Sequence, residues 1–228
     1  MNKYRYPIGP EFSNIYMDDE IKILARTSIP LILGITGPTK SGKTNLARTL
    51  SSEYGFYYLS LSRIITNHYN AIYYGIDPNW KSLGEIARRI RKSTTTYFFA
   101  EKAINEIQKS NYSQGLYVID GVLHPDEIDF FSENTKQFIM IGLNPPKSVR
   151  RKYLLTDGTM TKSELIERDS FEQLNQKQKY DSEYYPNIKK CLDKVSIHFM
   201  YCPECATRKT ITDIVKDILN KLRTKGLL

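Results

Sequence analysis

Leu31-Ile-Leu-Gly-Ile-Thr36-Gly37-Pro38-Thr39-Lys40-Ser41-Gly42-Lys43-Thr44-Asn45 is the stretch on which the fold turns. An apolar run the length of one buried strand, Leu31 to Thr36, feeds directly into an octet of the form G-x-x-x-x-G-K-[ST], and helix-compatible residues follow to Leu50. Side chains at the two glycine positions would keep backbone N–H groups from converging on phosphate oxygens. Lys43 supplies a point charge for the β- and γ-phosphates, Thr44 offers its hydroxyl to Mg²⁺, and the helix N-terminus adds partial positive charge. ATP with Mg²⁺ is the expected ligand, cradled by Gly37, Pro38, Thr39, Lys40, Ser41, Gly42, Lys43, Thr44 and Asn45.

Outward from this loop, short apolar runs alternate with longer helical stretches. The runs are Leu31 to Thr36, Phe56 to Leu61, Leu116 to Ile119, Phe138 to Leu143 and Val195 to Met200. The helices are expected near 43–53, 82–109 with a break around Ser93 to Thr95, 126–132, 147–155, 162–180 and 210–224. This is the grammar of an α/β protein with a parallel sheet covered on both faces, and it leaves the ligand loops at the carboxyl ends of the strands. There is no internal repeat or low-complexity linker, so one domain, 29–228, is expected behind an N-terminal extension, 1–28, read as an ordered arm packed on the domain.

Of 228 residues, 40% are hydrophobic and 25% charged, which argues against wholesale disorder and fibrous repeats. No apolar run approaches the roughly 18 residues of a membrane span. The first 30 residues do not read as a secretory signal, so the expected location is the cytoplasm. A formal charge of +8 favours polyanionic partners, whether a nucleotide, a nucleic acid or an acidic surface, and does not choose among them.

The third strand ends in Ile119-Asp120-Gly121. A carboxylate at the tip of a buried strand beside a phosphate loop can hold a Mg²⁺ water or accept a proton from an attacking hydroxyl; the bland alternative is that Asp120 caps the following turn. Thr44 and Asp120 are therefore the candidate metal-holding pair, and Gly121 lets a substrate approach the backbone.

The loop, Leu61-Ser62-Arg63, Gly84-Glu-Ile-Ala-Arg88, Ile119-Asp-Gly-Val-Leu-His-Pro-Asp-Glu127, Arg150 and Ile166-Glu-Arg168-Asp169 occur in an order that resembles the deoxynucleoside monophosphate kinase and dephospho-CoA kinase-like group of P-loop kinases. The resemblance implies a P-loop NTPase fold with a five-stranded parallel sheet, an acceptor-binding region at about 62–110 and a helical lid at about 147–180. It implies catalytic roles for Lys43, Asp120, Arg150 and Arg168, and acceptor binding by Arg63, Arg88, Asp120 and Gly121. The chain departs from the group at Leu123 and Tyr153, where arginines are common; Arg89 or Arg91 is the expected substitute for the first. The implied activity is transfer of the γ-phosphoryl group of ATP to a small phosphorylated acceptor, a (deoxy)nucleoside monophosphate foremost. Dephospho-CoA, a polynucleotide 5′-hydroxyl and a nucleic-acid-binding regulatory NTPase are the alternatives.

Cys191, His198, Cys202 and Cys205 form C-x₆-H-x₃-C-x₂-C, which offers four ligands for a structural zinc; the favoured reading is a loop bordering the adenine pocket. Zinc-dependent deamination is excluded, because none of the three histidines begins H-x-E. Arg88, Arg89, Arg91 and Lys92 precede Tyr97, Phe98 and Phe99, a pattern open to single-stranded nucleic acid but read here as a core face with arginines serving a nucleotide.

Overall fold

Strand β1, Leu31–Thr36, is buried at all six positions. A strand in a parallel sheet has helices on both sides, so its sequence runs apolar without alternation. The computed structural model describes residues 29–73, 80–110, 115–158, 160–172, 182–199 and 211–228. The other strands are β2 (Tyr57–Ser60), β3 (Leu116–Asp120), β4 (Gln137–Leu143) and β5 (Ile197–Phe199). All pairings are parallel, in the order β2-β3-β1-β4-β5. Register sets Ile35 opposite Asp120, and Ser60 opposite Asp120 on the other side. The ends of β1, β2 and β3 therefore open onto one edge, the usual ligand side of such sheets.

Helices α1 (Lys43–Tyr54), α2 (Leu61–Tyr73), α3 (Trp80–Ser93), α4 (Phe98–Lys109), α5 (Pro125–Asn134), α6 (Lys147–Asp157), α7 (Lys162–Glu172), α8 (Ile188–Asp193) and α9 (Ile211–Thr224) cover the sheet, with a 3₁₀ turn at Ser182–Tyr184. On one face Leu46 and Leu50 of α1 and Ile214 and Ile218 of α9 pack on Leu33, Ile35 and Val118. On the other, Ile65, Phe99, Ala103, Phe131 and Cys191 pack on Ile32 and Ile119. Phe99 and Phe131 are fully enclosed, and each is worth about 3–5 kcal/mol against truncation to Ala.

The expected five strands and the break in the long helix near Ser93 are present, the break falling between α3 and α4. Two helices were not expected. α2 begins directly at Leu61, where the sequence reading still has strand, because Leu61, Ile64 and Ile65 bury together at helical spacing. The six-residue α8 is too short to show a period, and it packs through Ile188 and Cys191. Within the described residues α7 stops at Glu172; the rest of the expected 162–180 helix and the extension 1–28 lie outside them.

Candidate active site at the carboxyl end of the sheet

The phosphate loop begins where β1 ends. Gly37 has φ +147°, and a Cβ there would stand 2.1 Å from the Leu143 carbonyl oxygen and 2.8 Å from Ser41 Oγ, so only glycine keeps the turn open. Gly42 adopts the left-handed conformation (φ 91°, ψ 8°) at the start of α1, leaving the first helical N–H groups free for an anion. The buried Ser41 hydroxyl has no hydrogen-bond partner among the described residues. Such an atom can donate to a ligand that enters the loop.

Lys43 Nζ donates to the Gly37 carbonyl at 2.8 Å and the Pro38 carbonyl at 3.0 Å, folding back on its own loop. Burial pushes its ammonium below the ordinary value; the Glu172 and Asp120 carboxylates oppose this, while Arg168 and Arg150 add to it. The Thr44 hydroxyl donates to Asp120 Oδ2 at 2.7 Å, and the Tyr58 hydroxyl donates to the same oxygen at 3.3 Å. Burial and the neighbouring Asp120 charge push the Tyr58 phenol up to about 12, so Tyr58 remains a donor. A hydroxyl and a carboxylate brought together by β3 and α1 are the hard oxygen ligands Mg²⁺ takes, and with the open glycine turn and Ser41 they fit a Mg²⁺-nucleotide.

Helices α6 and α7 are tied to the loop. Arg150 on α6 is buried; its Nη1 and Nη2 donate to Asp169 Oδ1 and Oδ2 at 2.6 and 2.8 Å, and Nη1 also donates to the Thr39 carbonyl at 3.1 Å. Glu172 accepts from the Thr39 N–H at 2.9 Å and the Thr39 hydroxyl at 2.6 Å. Arg168 Nε donates to Glu172 Oε1 at 3.1 Å. The sequence reading missed Glu172 and Tyr58. Glu172 lies 133 positions from Thr39, and nothing in its local pattern signals that reach.

Of the residues expected to meet the acceptor, Arg63 is exposed in the first turn of α2, just past the end of β2. Gly121 has φ +88° immediately after Asp120, and Ser62 lies beside it. Arg88 is drawn onto Glu85, with Nε donating to the carboxylate at 3.0 Å, and its guanidinium lies 5.5 Å over the Tyr185 ring. Arg89 is exposed, 3.8 Å from Glu85. Arg91, one of the two expected substitutes for the arginine absent at Leu123, is buried and donates to Glu127 Oε1 at 2.7 Å. Glu127 also accepts from the N–H groups of Leu123 and His124, so this pair braces the segment after β3. His124 caps α5 by accepting the Asp126 N–H, and burial lowers its pKa.

Of the proposed zinc ligands, Cys191 is in the core and burial pushes its thiol up, whereas His198 is exposed on β5. Cys202 and Cys205 lie outside the described residues. Among the described residues no three His, Cys, Asp or Glu side chains are grouped to hold a metal ion. No helix among them is long and apolar enough to cross a membrane. A cavity of about 460 Å³ adjoins the loop at Pro38, lined also by Asn144, Ile188, Leu192 and His198.

No protein-family model matches the chain. It is 27% identical over 146 residues to a UPF0200 protein of Thermoplasma volcanium, an alignment covering 62% of this chain and 76% of that one. Among solved structures it is similar to shikimate kinase from Acinetobacter baumannii in complex with shikimate (TM-score 0.52, 13% identity, 91% of this chain and 99% of that one). It is also similar to shikimate kinase from Bacteroides thetaiotaomicron (TM-score 0.50, 15% identity, 85% and 98%). At such identities the likeness is one of fold, and the chain has the five-stranded, all-parallel P-loop fold seen in these kinases.

Proposed function

We propose that the protein is an ATP-dependent kinase that transfers the γ-phosphoryl group to a small phosphorylated acceptor, a (deoxy)nucleoside monophosphate foremost. The observation that carries this reading is the Thr44 hydroxyl against the Asp120 carboxylate at 2.7 Å, directly under a glycine loop that bears Lys43. Thr44 and Asp120 would hold Mg²⁺, which when bound supplies charge neutralisation across the phosphates. Lys43 and the lid-side Arg168 supply the remaining positive charge. Arg150, taken up by Asp169 and the Thr39 carbonyl, positions the loop against the lid; direct contact with phosphate would require it to leave Asp169.

In the transfer, a bond forms between an acceptor oxygen and the γ-phosphorus as the bond to the bridging oxygen of ADP breaks. A monophosphate oxygen is already ionised near neutral pH, so the demands on the protein are alignment and charge balance, with Asp120 orienting the reactants. A hydroxyl acceptor would need its proton removed, and Asp120 would then serve as the base. Arg63 and Gly121, on the same edge of the sheet as Asp120, are the proposed acceptor contacts, together with Arg88 of α3.

The test is a product assay with ATP labelled in the γ-phosphate and a panel of nucleoside monophosphates, dephospho-CoA, shikimate and a 5′-hydroxyl oligonucleotide. Label in a monophosphate is the expected result. ATP hydrolysis stimulated by DNA or RNA, with no labelled small acceptor, would overturn the reading in favour of a nucleic-acid-dependent NTPase.

A further inference from the structure

One carboxylate of the lid reaches into the phosphate loop. Glu172 Oε2 accepts the Thr39 N–H at 2.9 Å, and its Oε1 accepts both the Thr39 hydroxyl at 2.6 Å and the Arg168 Nε–H at 3.1 Å. The residue is only 3% exposed, and its charge is the strongest acting on Lys43. A loop amide, a loop hydroxyl, a lid guanidinium and the loop lysine form the kind of donor set that neutralises a phosphoryl group facing a lid. A backbone N–H makes one good hydrogen bond, and two anions at one buried position repel strongly. A nucleoside triphosphate must therefore take these donors from Glu172, whereas a diphosphate, one phosphate shorter, can leave them in place.

The geometry points to Glu172 as an internal stand-in for the terminal phosphate of a nucleoside triphosphate, a specificity-determining residue that makes the triphosphate compete with α7 for the loop. This inference rests on the kinase reading above.

The same helix, α7, also touches α3. The neighbouring Phe171 fills the space over Gly84 of α3, where a Cβ would stand 2.7 Å from its ring. Lys81 of α3 pairs with Glu167 of α7 at 2.8 Å. The helix that holds the loop carboxylate thus also lies against α3.

The experiment is equilibrium titration of the full chain with Mg²⁺-ATP and Mg²⁺-ADP, comparing the parent with Glu172→Gln and Glu172→Asp, each checked by thermal unfolding. Glu172→Gln keeps the shape and removes the charge; ATP binding should tighten by about tenfold and ADP binding by less than about threefold. Glu172→Asp keeps the charge but draws it back by one methylene, and should also tighten ATP binding. Unchanged or weaker ATP binding by folded Glu172→Gln overturns the inference, as does equal tightening for ADP. Failure of both variants to fold would assign Glu172 to the fold and overturn it too. A parent that binds no nucleotide defeats the kinase reading itself; a parent that binds ATP through Lys43, with no gain in Glu172→Gln, defeats this inference alone.

Discussion

Replacing Arg150 with Met removes the strut between helices α6 and α7 and the phosphate loop while keeping much of its volume. The guanidinium makes two parallel charge-assisted hydrogen bonds to Asp169 and a third to the Thr39 carbonyl. Arg150 is 1% and Asp169 7% exposed, so the variant strands a carboxylate away from water. Breaking one side of such a pair costs about 3–5 kcal/mol, most of it the uncompensated charge. In a protein of this size each kcal/mol moves the melting temperature by about 2–4 °C, so a loss of roughly 10 °C is expected. Urea denaturation of the parent, Arg150→Met, Asp169→Leu and the double variant measures this. Removing both charges should return at least half of the lost stability, since the buried carboxylate goes too. A single-variant cost below about 1 kcal/mol, or a double variant no more stable than Arg150→Met, would refute the strut.

Asp120→Asn keeps one acceptor oxygen for Thr44 and Tyr58 but loses the charge; kcat in the labelled-ATP assay should fall by roughly 10²-fold or more while ATP still binds, and near-parental turnover would return Asp120 to a turn-capping role. Tyr58 carries a pH signature. Its phenol is held up to about 12 against an ordinary 10.0 by burial and then by Asp120, so its contribution to stability is complete below about pH 10 and is lost as pH rises toward about 12. The denaturation midpoint of the parent should fall more steeply across that window than that of Tyr58→Phe; parallel curves would contradict the assignment.

What was legible in the sequence follows from how local each signal is. Strand β1 and the loop announce themselves in one continuous run, and Asp120 can be placed from the sequence at the end of a buried strand beside that loop. α2 was hidden because Leu61 reads as the end of a strand and nothing in the short stretch after it reads as helix until Ile64 and Ile65 are seen to bury together with Leu61. The partners of the arginines were hidden for a different reason. Arg91 reads as an acceptor contact by its neighbours in the chain, yet Glu127, 36 positions away, claims it. Thr39 and Glu172, or Arg150 and Thr39, are joined across more than a hundred positions, where no periodicity or motif points. Such contacts are set by the tertiary placement of α6 and α7 against the loop, and they decide which charges are left for a ligand.

The Gly37–Thr44 loop is proposed to bind the phosphates of ATP through Lys43. Titration of the purified parent and Lys43→Ala with a fluorescent ATP analogue in the presence of Mg²⁺ tests it most directly. The parent should saturate and Lys43→Ala should bind at least about a hundredfold more weakly, since a half-buried cation in the phosphate loop would supply charge-assisted contacts to the phosphates it meets. Equal affinity of the two proteins would contradict the loop assignment and the kinase reading built on it.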